Sequence, residues 1–184
     1  MMRLGSTITQ LAVLSRPPSP VSEDIGEDRL TCLREFGSNP GALRAKYYVP
    51  ERLSAAAPLV VVLHGCTQTA SGYDRGSGWS QLADEYGFAL LFPEQQRSNN
   101  PNLCFNWFLP SDSKRDSGEA LSVRQMIGEM VETYDIDQSR IFMTGLSAGG
   151  AMASIMLASY PELLAGGAII AECLLAAPAQ FLTL

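Results

Sequence analysis

The sequence predicts one α/β domain with a mainly parallel sheet and helices on both faces, and three observations carry that expectation. Leu59-Val60-Val61-Val62-Leu63 is apolar at every position, as a strand covered on both faces requires. Trp79, Leu82, Ala83 and Tyr86 follow at helical spacing with Gly87 as a stop, and Phe88 to Phe92 is a second continuous apolar run ended by Pro93. Strand, helix and strand in that order build a parallel sheet whose ligands bind beyond the carboxyl ends of the strands.

Taken in order, residues 1–28 contain Pro17-Pro18-Ser19-Pro20 and then an acidic patch, so a disordered or loosely attached lead-in is expected. The domain is expected over residues 29–171. Leu30 to Phe36 and Ala42 to Val49 read as two strands around the turn Gly37-Ser38-Asn39-Pro40-Gly41. After the strand-helix-strand unit, Gln95 to Ser113 is long, irregular and rich in Asn, Ser and Pro, a kind of loop that usually carries function. Asp116 and Glu119 resemble a capping pair for a helix whose apolar face is Ala120, Val123, Met126, Ile127, Met130, Val131 and Tyr134. Asp135 to Gln138 is expected to turn the chain into a strand over Ile141 to Thr144. A helix over Ala148 to Tyr160, closed by Pro161, and a strand over Gly167 to Ala171 complete the pattern.

Composition limits the partners. The chain has 184 residues, a formal net charge of −6 and 46% hydrophobic content, which suits one globular domain and argues against nucleic acid or an anionic membrane as partner. The longest apolar run, Leu163 to Ala171, falls well short of the roughly 20 residues a membrane span needs. Arg3 followed by Ile8 to Leu14 is a poor signal peptide, because the apolar part is short and interrupted by polar residues. The four cysteines, Cys32, Cys66, Cys104 and Cys173, lack metal-ligand spacing and have one histidine to join them, so no metal is expected. By their own spacing they read as buried free thiols.

Gly145-Leu146-Ser147-Ala148-Gly149 lies where an apolar strand gives way to a small-residue helix, the setting of a nucleophile elbow. Glycines on either side let the turn lift the Ser147 hydroxyl above the sheet, and the helix N-terminus faces any negative charge that develops there. The alternative is a glycine-rich helix start with a solvated hydroxyl. The glycine spacing is wrong for a dinucleotide fingerprint, and no cofactor is expected.

The chain resembles the poly(3-hydroxybutyrate) depolymerase family of esterases, relatives of feruloyl and acetylxylan esterases within the α/β-hydrolase fold. The resemblance runs from Phe36 to about Ala171. It is carried by Phe36-Gly-Ser-Asn-Pro-Gly41, Pro58-Leu-Val-Val-Val-Leu-His-Gly-Cys-Thr-Gln68, Gly87-Phe-Ala-Leu-Leu-Phe-Pro-Glu-Gln95, Cys104-Phe-Asn-Trp-Phe108 and Thr144-Gly-Leu-Ser-Ala-Gly-Gly-Ala151. It implies that Ser147 is the nucleophile, that the main-chain amides of Cys66 and Ala148 form the oxyanion hole, and that His64 and Gly65 support that loop. It further implies that Trp107 lines the substrate cleft, with plain core as the alternative, and that Cys66 pairs with Cys104. The substrate class would be a small ester or polyester, and the compartment extracellular or periplasmic, with cytoplasmic as the alternative.

In that family the acid and the histidine of the triad follow the last strand seen here. Residues 172–184 depart from the pattern and read as a divergent tail, and the chain is expected to lack its C-terminal strands. The sole histidine, His64, belongs to the oxyanion loop and could serve only as an improvised base. Without base and acid a serine hydrolase loses on the order of 10⁶ in turnover, so this chain is expected to be close to inactive. A non-catalytic remnant or binding module of the same fold is the alternative function. An unpaired sheet edge would also favour self-association.

Overall fold

The computed structural model describes residues 28–171. The expected lead-in over 1–28 lies outside that range but for its last residue, and the divergent tail over 172–184 lies wholly outside it.

Among the described residues six strands form one sheet: β1 (Thr31–Leu33), β2 (Arg44–Tyr48), β3 (Ala57–Leu63), β4 (Ala89–Glu94), β5 (Ile136–Leu146) and β6 (Gly166–Ile170), in the order β1-β2-β4-β3-β5-β6. The first two strands run antiparallel to each other, and β2 runs antiparallel to β4. From β4 through β3 and β5 to β6 every pairing is parallel. The helices are α1 (Ala70–Ser77), α2 (Trp79–Tyr86), a short α3 (Pro110–Ser113), α4 (Gly118–Tyr134) and α5 (Ala148–Ser159).

Strand alternation divides the core in two. Leu59, Val61 and Leu63 of β3, with Leu91 and Met143, pack against Val123, Met126, Ile127 and Met130 of α4 and Met152 and Met156 of α5. Val62, Leu90 and Phe92 point the other way and meet Ala70 and Tyr73 of α1 and Ala83 of α2. Both faces are therefore covered, which is why β3 and β4, as far as Pro93, are apolar. The apolar face expected of α4 is the face that packs, with Val131 and Tyr134 partly buried at its end.

Three local expectations need correction. Helix α1 was not foreseen, because Ala70-Ser-Gly-Tyr-Asp-Arg-Gly-Ser77 is short, polar and contains two glycines. Its ends hold it instead: Thr69 Oγ1 accepts from Gly72 N at 3.1 Å, and Gly78, at φ 75°, closes it with an N–H to the Asp74 carbonyl. The buried Asp74 carboxylate then accepts from Ser80 N and Ser80 Oγ, both at 2.8 Å, and so caps α2.

The Asp116–Glu119 capping pair is absent. Ser117 is the N-cap of α4 and makes no side-chain cap bond, and Glu119 stands one residue too early for a capping box. Its carboxylate is buried and turned toward the 95–108 loop. Finally, residues 135–138 are not a separate turn. Asp135, at φ 50°, caps α4, and β5 begins at Ile136 with an irregularity that passes from the pair Ala57↔Ile136 to the pair Leu59↔Ile141. Asp137 closes that irregularity by accepting from Ser139 N at 2.9 Å and Arg140 Nε at 2.8 Å.

Candidate active site

The carboxyl ends of β3 and β5 are neighbours, and each runs straight into a loop that holds candidate site residues. Leu63 pairs with Gly145 at the last step of the ladder. Beyond it the β5 chain reverses into α5 through Ser147, a non-glycine residue held at φ 54°, ψ −116°. Such a conformation persists only where the surroundings over-determine it. Here they do. A Cβ on Gly145 would lie 2.1 Å from the Gly149 carbonyl oxygen, and one on Gly149 would lie 2.4 Å from the Leu63 oxygen and 2.5 Å from the His64 oxygen. Both glycines of Gly-x-Ser-x-Gly are required by these contacts. Ser147 N donates to Ile170 O at 2.9 Å, tying the turn to β6, and Ala151 N donates to Ser147 O at 3.0 Å as α5 begins. The Ser147 side chain is left exposed while Ala148 is buried beside it. Ala148 opens α5, so its N–H lies ahead of the helix's own ladder.

The loop after β3 is held from several directions. His64, 1% exposed, presents Nδ1 to the carbonyl oxygen of Gly65 at 2.8 Å and accepts from Gln95 N through Nε2 at 3.1 Å. That pairing requires the Nδ1–H tautomer. Burial lowers the pKa of the ring, which keeps it neutral. Phe105 packs against it with ring centroids 4.9 Å apart. Both ring nitrogens are thus committed to main-chain partners, and the improvised-base alternative has no free nitrogen to use. Gly65 N donates to Gln68 Oε1 at 2.8 Å, and Thr67 N donates to Asn102 O at 2.7 Å.

Cys66 and Cys104 form a disulfide with Cα atoms 4.3 Å apart, bridging the β3 loop to the 95–108 loop. The reading of these two as buried free thiols from their own spacing is overturned, since both are half-buried and bonded to each other. Cys32 is free and exposed rather than buried, and Cys173 lies outside the described residues.

Cys66, Cys104, Trp107, Phe108, Ser147 and Ala148 line one cavity of about 370 Å³, with Asn100, Asn102 and Ala151 completing its wall. Trp107 packs partly on the main core and also faces this cavity. Phe108, 55% exposed, meets it edge to face at 5.8 Å. A larger cavity of about 450 Å³ opens among Arg44, Glu94 and Arg97, but its lining contains neither Ser147 nor the disulfide. The candidate nucleophile Ser147 lines the smaller of the two.

Sequence reasoning missed Phe108, Asn100 and Asn102 as wall residues, and it misread Glu119. The Glu119 carboxylate is fully buried; Oε1 accepts from Gln95 Nε2 at 2.6 Å and Asn106 Nδ2 at 2.9 Å, and Oε2 from Asn106 N at 2.9 Å. Burial pushes its pKa up to about 7, with the N–H donors pulling the other way. An Asn-rich loop facing an acidic residue at a helix start was the available signal. Among the described residues no group of three or more His, Cys, Asp or Glu is placed to hold a metal ion, and no helix is long and apolar enough to cross a membrane.

Comparison with known proteins identifies the family. The family model described as esterase PHB depolymerase matches residues 43–177. The chain is 51% identical over 142 residues to poly(3-hydroxyalkanoate) depolymerase C of Paucimonas lemoignei, covering 77% of this chain and 34% of that protein. It is 34% identical over 156 residues to probable acetylxylan esterase A of Aspergillus fumigatus, covering 83% of this chain and 41% of that protein. The solved acetyl xylan esterase from Aspergillus awamori superposes with a TM-score of 0.71 at 31% identity, over 77% of this chain and 53% of that one. The chain therefore spans between about a third and a half of the length of these relatives. The strand order, the parallel sheet covered on both faces and the match over residues 43–177 together place this chain in the esterase PHB depolymerase family, a family of carboxylic ester hydrolases.

Proposed function

We propose that this chain carries the nucleophile half of a serine esterase site, with Ser147 Oγ attacking the carbonyl carbon of an ester bound in the cavity beneath Trp107. The observation that carries this reading is the turn at Ser147: an exposed hydroxyl on a strained backbone, wedged between two glycines that admit no Cβ, at a mainly apolar cleft. Attack forms the Oγ–C bond and moves the carbonyl electron pair onto oxygen. The main-chain N–H groups of Ala148 and Cys66 meet that oxyanion, Ala148 with the α5 N-terminus behind it. Solvent water accepts the Ser147 proton and returns one to the alcohol expelled on collapse, and a second water then adds to the acyl carbon, releasing the acid and restoring the Ser147 hydroxyl. His64 and Gly65 support the loop that presents the Cys66 amide, and the disulfide to Cys104 fixes that loop to the cleft wall.

The base that takes the Ser147 proton is not His64, whose two nitrogens are already occupied, and the chain has one histidine. On this reading the 184 residues alone turn over slowly, with a loss on the order of 10⁶ relative to an intact triad. The occupied histidine also favours a second reading, a binding module that keeps the cleft without the reaction. Hydrolysis of p-nitrophenyl butyrate by the chain, with Ser147→Ala as control, separates the two: Ser147-dependent release supports the esterase, and binding of the ester without it supports the module.

The substrate we propose is a hydroxyalkanoate ester or oligomer, since identity to the polyhydroxyalkanoate depolymerase is 51% against 34% to the acetylxylan esterase. A disulfide beside the cleft fits an extracellular or periplasmic site better than a reducing cytoplasm. Self-association is proposed through the β6 side of the sheet, where Phe142, Ile169 and Ile170 are exposed.

A further inference from the structure

We propose, resting on the esterase reading, that Glu119 is a positioning residue for the cleft: its buried carboxylate anchors Asn106 and Gln95, and through them holds the Cys104 to Trp107 wall and the His64 loop against Ser147. Among the described residues no cation is bonded to this carboxylate. Its hydrogen-bond partners are two amide side chains and one main-chain N–H, all of them in the 95–108 loop. A buried carboxylate without a cationic partner is a costly filler, and a satisfied polar network in that place specifies one geometry rather than maximal stability. The first turn of α4 offsets part of the charge. That helix is in turn seated on the main core through Val123, Met126 and Ile127, so the carboxylate is mounted on the rigid part of the fold.

The network reaches both walls of the cleft from this single point. Gln95 Nε2 also donates to the Cys104 carbonyl at 3.1 Å, and Gln95 N donates to His64 Nε2 at 3.1 Å. Asn106 lies between Phe105, whose ring packs on His64, and Trp107, which lines the cavity. Its Oδ1 accepts from Asn100 Nδ2 at 3.0 Å, and Asn100 is another wall residue. Release of the Asn106 main chain therefore frees Trp107 on one side and the seat of His64 on the other. Glu119 itself is absent from the lining of the cavity, so it acts through these neighbours.

The test is residue-resolved hydrogen exchange with ¹H–¹⁵N spectra of the chain, which needs no catalysis and so stands apart from the fate of the esterase reading. Glu119→Gln turns one acceptor oxygen into an N–H group facing its donors. The expected result is exchange about tenfold or more faster at Gln95 and Asn106, with a displaced Trp107 indole resonance, while Val61 and Met143 in the central strands keep their protection. Gln95→Met removes one donor at near-constant volume and is expected to reproduce the local loss, so the proposal stays open to test where the first variant folds poorly. Unchanged protection in the loop, or a loss spread equally over β3 and β5, overturns it. Failure of Ser147 to react with esters would sink the esterase reading while leaving these exchange rates as they are.

Discussion

The Cβ that Gly149 lacks would lie 2.4 Å from the carbonyl oxygen of Leu63, so the helix that follows the candidate nucleophile is pressed directly onto the strand that leads into the His64–Cys66 loop. One missing methyl group thus sets the spacing between Ser147 and the residues after β3. The nearby backbone cannot yield as a flexible side chain would. Gly149→Ala is expected to cost about 1–3 kcal/mol, the range for overpacking, and to lower Tm in thermal unfolding. Gly128→Ala is the contrasting case. That glycine sits exposed in the middle of α4 with open space around it, and the change is expected to stabilise by about 0.5–1 kcal/mol.

The Cys66–Cys104 bridge closes a loop over a sequence separation of 38 residues. The chain-entropy relation gives about 4 kcal/mol for a loop of that size, with engineered and native cases often falling below it. A double Cys66→Ser, Cys104→Ser variant is therefore expected to melt well below the parent. Addition of a reductant should lower the parent's Tm and leave the double variant's unchanged.

Glu119 makes stability depend on pH with a defined sign. Its ordinary value is 4.5 and burial raises it to about 7 in the fold. The native state then holds a proton that the unfolded chain has released, so the contribution is full below pH 4.5 and is lost as pH rises through about 7. The nearby Asp112 charge pushes in the same direction. Urea unfolding of the parent between pH 4.5 and 8 should show this decline on top of other titrations, and Glu119→Gln should flatten it.

The β6 side of the sheet carries Phe142 at 39%, Ile169 at 46% and Ile170 at 44% exposure. Apolar side chains grouped there favour association with a second chain. Sedimentation velocity over a range of concentrations is expected to show self-association of the parent. Ile169→Lys should shift the distribution toward the monomer.

Much of this architecture was legible because it rests on short-range rules. The apolar runs of β3 and β4, the 3.6-residue face of α4 and the strand-to-helix change at Ser147 each reflect which atoms must be buried. Features held by side-chain hydrogen bonds were less legible. Helix α1 lives on its caps and on Asp74 rather than on an apolar stripe, and Glu119 bonds to Asn106, 13 residues away and on another element. No local period encodes such contacts. The Cys66–Cys104 bridge was legible only through the family resemblance that implied it, because no local period links two cysteines 38 residues apart.

The most direct test of Ser147 as nucleophile is covalent capture. The chain would be incubated for long times with an alkyl fluorophosphonate, and the adduct located by peptide mass spectrometry. The expected result is a single stoichiometric adduct on the peptide containing Ser147, slow to form and absent from the Ser147→Ala variant. Modification that persists in Ser147→Ala, or a parent chain that remains unmodified at Ser147 while folded, would contradict the account.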